Sequence, residues 1–312
     1  MLAEGCEEQE DQFDTITMVA GLKPKVTIGI CGRNCQNTVE DALESVAKQD
    51  YPHESMDVVF VDDGSQDNTV IVVKNHLSQM NMDWRVLSDR WRGIGKARNS
   101  VIQNARGDYI VWVDTDEVLS PSFVREQIER MEQNPKAGIV TGKMGILDNE
   151  NLVLTLDLIP IVVEYSRQDW KQKGKLPGTG GATYRVVAAK QVGGFDEELN
   201  ELGEDIEIAS RIRKAGWSIV TGMGVFFERH GELSGWTGLL KRSFAQGVQS
   251  RKLCRKTDEF FSLTRMNPFA SIVASVFYAA EGYKLTRRKT VFLLPPHFAL
   301  KTFAWFYGFG KG

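Results

Sequence analysis

Short apolar runs and longer amphipathic stretches alternate along the first third of the chain. Val26 to Ile30 and Val58 to Val61 are apolar runs, whereas Val39 to Val46 and Val70 to Leu77 carry apolar residues at helical spacing. Short β-branched runs bounded by turn formers predict strands and a 3.6-residue period predicts helices, so the order is strand, helix, strand, helix. The alternation continues with a strand over Trp84 to Leu87, a helix over Gly95 to Gln103 and a strand over Tyr109 to Val113. That last run is apolar throughout, as in a strand covered on both faces. Such an order predicts an α/β fold with a mainly parallel sheet flanked by helices and joined by right-handed crossovers.

Outside this pattern the chain divides by composition. Met1 to about Lys23 is polar, holds Glu4, Glu7, Glu8, Glu10, Asp11 and Asp14, and has no sustained period. It predicts a flexible acidic arm over residues 1–23, followed by a catalytic domain over 24–233 and a helical region over 234–312. With 312 residues, 42% hydrophobic and 25% charged, the chain suffices for a real core and for one main domain with an appendage. A net charge of -3 gives no reason to expect nucleic acid as a partner. Cys6, Cys31, Cys35 and Cys254 match neither a zinc site nor a small disulfide framework, so reduced thiols are expected. The acidic start lacks the pattern of a secretory or transit segment, and a cytoplasmic catalytic domain is the expectation.

Ligands of open parallel sheets bind beyond the carboxyl ends of the strands, and there this chain is acidic. Asp62-Asp63-Gly64-Ser65 follows one run and Asp114-Thr115-Asp116-Glu117 another. Two carboxylates separated by one residue can converge on Mg²⁺ or Mn²⁺, a hard cation able to neutralise a diphosphate; an acidic turn before a helix is the plainer alternative for Asp114 and Asp116. Adjacent like charges at a strand end repel unless something offsets them, so at least one of Asp62 and Asp63 is expected to face a ligand. Asp67, three residues before Val70, is expected to cap a helix. Gly93-Ile94-Gly95-Lys96-Ala97-Arg98-Asn99 sets Lys96 and Arg98 at a helix start, where free amides favour phosphates; a solvated helix with two surface cations is equally open. The spacing is that of neither a nucleoside-triphosphate loop nor a dinucleotide fingerprint.

Six fragments taken together resemble family 2 glycosyltransferases in order and interval: Val26 to Asn34, Val61 to Ser65, Gly93 to Asn99, Gly107 to Glu117, Gly193 to Glu197 and Glu204 to Glu207. The match spans roughly Lys25 to His230. This resemblance implies the GT-A fold of nucleotide-diphospho-sugar transferases and an inverting transfer from a UDP- or GDP-sugar. It implies that Cys31, Gly32, Arg33 and Asn34, with Asp62 or Asp63, meet the nucleoside, that Lys96, Arg98, Asp114 and Thr115 meet the donor, and that Asp114 and Asp116 hold metal and diphosphate. It implies Asp205 as base beside Glu204, and Gly180 and Gly181 as a small-residue acceptor loop. For a lipid phosphate acceptor, already ionised, Asp205 would orient instead of deprotonating. His230 stands where a third metal contact occurs in the family, as ligand or as surface residue. Cys31-Gly32-Arg33 departs from the usual proline, hydroxyl and aromatic residues there, which shifts nucleoside stacking to Arg33. The Gln-x-x-Arg-Trp signature of processive synthases is absent, which favours single addition. The competing readings are a nucleotidyltransferase, which needs a basic glycine-rich loop after the first strand, and a non-catalytic nucleotide-sugar-binding scaffold, which would dispense with Asp116 or Asp205.

From Trp236 onward basic residues far outnumber acidic ones and alternate with apolar runs. Pro268 to Ala280 is short for a spanning helix, and Val291 to Phe309 is broken by Pro295, Pro296 and Lys301. Attachment to a cytoplasmic membrane surface is expected rather than crossing, with packing on the core as the alternative. The acceptor is expected to be lipid-linked or a glycan.

Overall fold

The computed structural model describes residues 25–147, 151–167, 176–199, 203–229, 235–256 and 268–312. Its centre is an eight-stranded sheet flanked by helices. The first half runs β1 (Val26–Gly32), α1 (Val39–Ala47), β2 (Met56–Asp63), α2 (Thr69–Leu77), β3 (Asp83–Asp89), α3 (Ile94–Asn104) and β4 (Tyr109–Asp114). The second half runs β5 (Glu117–Leu119), α4 (Phe123–Gln133), β6 (Ala137–Met144), α5 (Leu152–Arg167), β7 (Ala182–Arg185), α6 (Val186–Gln191), α7 (Glu204–Lys214) and β8 (Ser218–Glu228). The strand order is β3-β2-β1-β4-β7-β6-β8-β5.

The expected parallel sheet is the half formed by β3, β2, β1 and β4. Beyond β4 the sheet is mixed, because β7 inserts antiparallel between β4 and β6, while β6 and β8 are parallel and β5 runs antiparallel to β8. Alternation of faces explains the unbroken apolar run of β4. Tyr109, Val111 and Val113 join the core under α1, α2 and α4, whereas Ile110 and Trp112 join the core under α3, α6 and α7. Burial on both faces demands apolar side chains at every position, which leaves chemistry to the strand ends.

Three helices close the chain: α8 (Trp236–Lys256), α9 (Pro268–Thr286) and α10 (Leu294–Lys311). Helices α9 and α10 and the turn between them dock on α5 through a small core of Leu156, Ile159, Val163, Ala279, Val291 and Leu294, and α8 packs on α10. Asp157 of α5 pins the junction by ion pairs with Arg242 and Lys301 and a 3.4 Å contact with His297. Helices α8 and α10 touch backbone to backbone: a Cβ on Gly308 would overlap the carbonyl oxygen of Phe244, and one on Gly247 that of Trp305. Among the described residues no helix is long and apolar enough to cross a membrane. The outer face is nonetheless apolar, with Val273 70%, Phe303 75% and Tyr307 58% exposed.

Candidate active site

Register alone assembles the acidic strand ends. Gly32 lies opposite Asp62, Cys31 opposite Asp114, and Asp63 opposite Asp89, so the ends of β1, β2 and β4 form one edge. Gly32 is required there by contact, since a Cβ on it would stand 2.7 Å from both Thr115 Cγ2 and Cys35 Sγ.

Asp114 faces the cleft with its side chain 45% exposed, whereas Glu117, three residues on, is fully buried. The protein crowded around Asp114 raises its carboxyl; Arg98 opposes this, and Asp116 and Glu228 add to it. Glu117 is pushed well above the usual carboxylate range by burial first and by the Asp114 charge second. Arg98, 8% exposed, bridges two parts of the site by pairing with Glu204 at the start of α7 and lying 3.4 Å from Asp114 Oδ1. Its guanidinium also stacks 5.6 Å from the Phe195 ring. A cation expected at the donor phosphates is thus a buried strut between the acidic triplet and the helix that carries Asp205.

The glycine loop completes the arrangement. A Cβ on Gly178 would stand 2.8 Å from Asp205 Oδ2, and one on Gly180 2.6 Å from Glu117 Oε1 and 3.8 Å from Asp114 Oδ2. Gly181 takes φ +57 and would overlap the Phe226 ring, so the loop tolerates no side chain at its turn. Three carboxylates from β4, β5 and α7 therefore converge on the glycines of one short loop, whose Thr179 is buried.

The family model for glycosyl transferase family 2 matches residues 27–192. The chain belongs to that family. A poly-beta-1,6-N-acetyl-D-glucosamine synthase of Staphylococcus epidermidis is 25% identical over 238 residues, covering 70% of this chain and 56% of that protein. The chain spans about half the length of the curated relatives it matches. Among solved structures, the mannosyltransferase PcManGT from Pyrobaculum calidifontis, in complex with GDP-Man and Mn²⁺, aligns with a TM-score of 0.59 at 18% identity, covering 91% of this chain and 86% of that one. S. aureus TarS 1-349 in complex with UDP-GlcNAc aligns with a TM-score of 0.52 at 18% identity, covering 92% and 91%. The fold is that of GT-A glycosyltransferases, as the fragment order implied.

In this glycosyltransferase the edge beside β1 and β2 is built from loops tied to one another. Asn34 takes φ 52, donates its N–H to Ser65 Oγ at 2.9 Å and accepts the Gln66 N–H at 2.8 Å. Asp63 accepts the N–H groups of Arg92 at 2.7 Å and Gly93 at 3.0 Å, whereas among the described residues Asp62 accepts the Ser65 N–H alone. Asp62 therefore keeps acceptor capacity, and Asp63 fixes the loop that precedes α3. That loop presents Trp91, 58% exposed, with Arg33 stacked 5.5 Å from its ring centroid. The sequence pointed to Arg33 and missed Trp91; the available signal was an aromatic set between two arginines next to the glycine-rich segment. Lys96 turns toward Glu197 at 3.3 Å. Burial pushes the Cys31 thiol up to about 12, with Asp114 and Asp63 adding to it against Arg98, so it lines the edge as a neutral thiol. Asp67 accepts the Thr69 N–H at 3.0 Å and the Gln36 N–H at 3.4 Å. It lies one residue before the observed N-cap, Asn68, because α2 begins at Thr69; it takes the first amide of that helix and ties it to the loop after β1.

The donor set suits a hard divalent cation, being all carboxylate with repulsion among Asp114, Asp116 and Glu228 left for a cation to relieve. Among the described residues no three His, Cys, Asp or Glu side chains could hold a metal by themselves. Asp114 and Asp116 would thus share a cation with diphosphate and water, the usual arrangement for Mg²⁺. His230 lies outside the described residues, so its expected role as a third ligand has no structural account.

Proposed function

We propose that this glycosyltransferase moves one sugar, with inversion, from a UDP- or GDP-sugar to a lipid-linked or glycan acceptor at the cytoplasmic face of a membrane. The observation that carries the proposal is the glycine loop, whose Gly178 lies against Asp205 and whose Gly180 lies against Glu117 and Asp114. A sugar acceptor laid on that loop has Asp205 as base at one end and Asp114, which holds the donor, at the other. Asp205 Oδ2 accepts the hydroxyl proton as the acceptor oxygen attacks the anomeric carbon from the face opposite the leaving diphosphate, which inverts the centre. Asp114 and Asp116 would hold Mn²⁺ or Mg²⁺, which supplies charge neutralisation to the departing diphosphate. Arg33 and Trp91 flank the nucleoside, and Asp62 accepts a hydrogen bond from its base. The GDP-Man and Mn²⁺ bound by PcManGT and the UDP-GlcNAc bound by TarS support a nucleotide-sugar donor with a divalent cation. The exposed aromatic face of α9 and α10 and its flanking lysines support attachment to an anionic leaflet.

The test is a panel of nucleotide sugars with Mn²⁺, with and without lipid extract, read as nucleoside diphosphate release and product mass. One donor is expected to give a singly extended product of inverted configuration. Asp205→Asn is expected to bind that donor normally and to lose transfer to hydroxyl acceptors by at least roughly a hundredfold. Unimpaired turnover by Asp205→Asn, or a ladder of long products, would refute the base assignment or the single addition respectively.

A further inference from the structure

Glu117 is a costly residue for its position. Its carboxyl is 0% exposed, and an ionisable group without solvent is retained only where its hydrogen bonds accomplish something. Oε2 accepts two backbone amides, those of Asp114 at 3.0 Å and Gly181 at 3.3 Å. The second partner lies 64 residues away in sequence, on the acceptor loop. Oε1 has no partner among the described residues and lies directly beneath Gly180. Glu117 itself is fixed from below, since β5 pairs it with Glu228 at the end of β8, and the Arg229 N–H donates to the Asp116 carbonyl at 2.7 Å.

The geometry points to Glu117 as a positioning residue that clamps the acceptor loop to the donor-holding triplet, an inference that rests on the transfer proposal above. One carboxylate oxygen sets the height of Gly181 relative to Asp114, and hence the distance between the acceptor's resting place and the donor's diphosphate. In this role Glu117 acts through the loop and not on substrate. Removing it lets the loop lift while the triplet, attached to β4, stays where it is. Proximity is unforgiving on this scale, because a misplacement of about 1 Å costs on the order of a hundredfold in rate.

The experiment compares Glu117→Leu, Glu117→Asp and Glu117→Gln with the wild type by amide hydrogen exchange and by steady-state kinetics. Leucine fills the buried space without a hydrogen-bond acceptor, aspartate retracts the carboxyl by one methylene, and glutamine keeps an acceptor oxygen in reach of both amides. Leucine and aspartate are expected to speed exchange of the 178–182 segment at least tenfold, raise the acceptor KM and lower kcat tenfold to a hundredfold, with nucleoside diphosphate affinity within threefold of wild type. Glutamine is expected to stay within about threefold of wild type in all of these. A role limited to stability predicts loss in proportion to the folded fraction, with no KM change. Folded leucine or aspartate variants that transfer at the wild-type rate, or leave exchange of the loop unchanged, overturn the clamp. If leucine does not fold, aspartate against glutamine decides in the same way. A wild type that transfers to no acceptor overturns the transfer proposal alone, since loop exchange still reports on the clamp.

Discussion

Arg98→Met isolates the strut that joins the acidic triplet to α7. Methionine keeps most of the buried stem and removes the cation, leaving Glu204, itself 7% exposed, without its partner. Stripping one member from a buried pair costs about 3–5 kcal/mol, because the other charge stays out of water uncompensated. The contact to Asp114 adds little, since that side chain is 45% exposed and the separation is 3.4 Å. Loss of the stack on Phe195 adds roughly 0.5–1 kcal/mol. For a domain of this size each kcal/mol moves Tm by about 2–4 °C, so Arg98→Met is expected to melt roughly 7–24 °C below wild type. Glu204→Gln in the same chain neutralises the orphaned carboxyl and is expected to recover at least half of the loss. Calorimetry of the two single variants and the double variant gives the coupling directly. An Arg98→Met enzyme within about 1 kcal/mol of wild type, or a double variant less stable than Arg98→Met, would show that the pair is not what joins the two elements.

Three further outcomes follow from other parts of the molecule. Trp91→Ala is expected to weaken nucleoside diphosphate binding about tenfold in titration calorimetry with Mn²⁺, the scale of one base-stacking contact; an unchanged Kd removes Trp91 from the donor site. Burial alone would raise the Asp157 carboxyl, but His297, Lys301 and Arg242 together outweigh it and hold it well below the usual carboxylate range. A depressed folded pKa contributes stability that is present above the unfolded value and lost as pH falls. The wild-type advantage over Asp157→Asn is therefore expected to be about 2 kcal/mol and flat above about pH 5, and to shrink below about pH 4; a pH-independent difference in Tm contradicts it. Replacing Phe303 and Tyr307 together by serine is expected to weaken flotation with anionic vesicles on the order of a hundredfold, from the apolar area withdrawn; a double variant that floats like wild type contradicts the attachment proposed for α10.

The first half of the fold was legible because β1, β2 and β4 are buried on both faces, with only the edge strand β3 partly exposed. Val58 to Val61 and Tyr109 to Val113 lie inside β2 and β4, and the Gly95 to Gln103 helix falls inside α3. Their acidic followers reach the edge that the parallel order requires. The second half resisted reading because its pairings are made at a distance. β7 is four residues long and β5 three, too short for a periodic signal, and their places depend on partners elsewhere in the sheet. α5 carries Pro160 within it, a residue that reads as a breaker until tertiary packing overrides it. Arg98 was singled out as a cation at a helix start, but its buried partner Glu204 lies 106 residues on. Glu117 was visible only as the last acid of a cluster, since nothing local links it to Gly181.

The close approach of α8 and α10 at Gly247 and Gly308 has a mechanical consequence. With main chain set directly on main chain at those two points, α8 and α10 form a stiff board whose tilt is fixed there. Any methyl group introduced there would pry the board apart like a shim under a hinge and swing the Phe303 edge away from its bearing. The attitude that the proposed membrane attachment gives the cleft would then be governed by two positions that have no side chains.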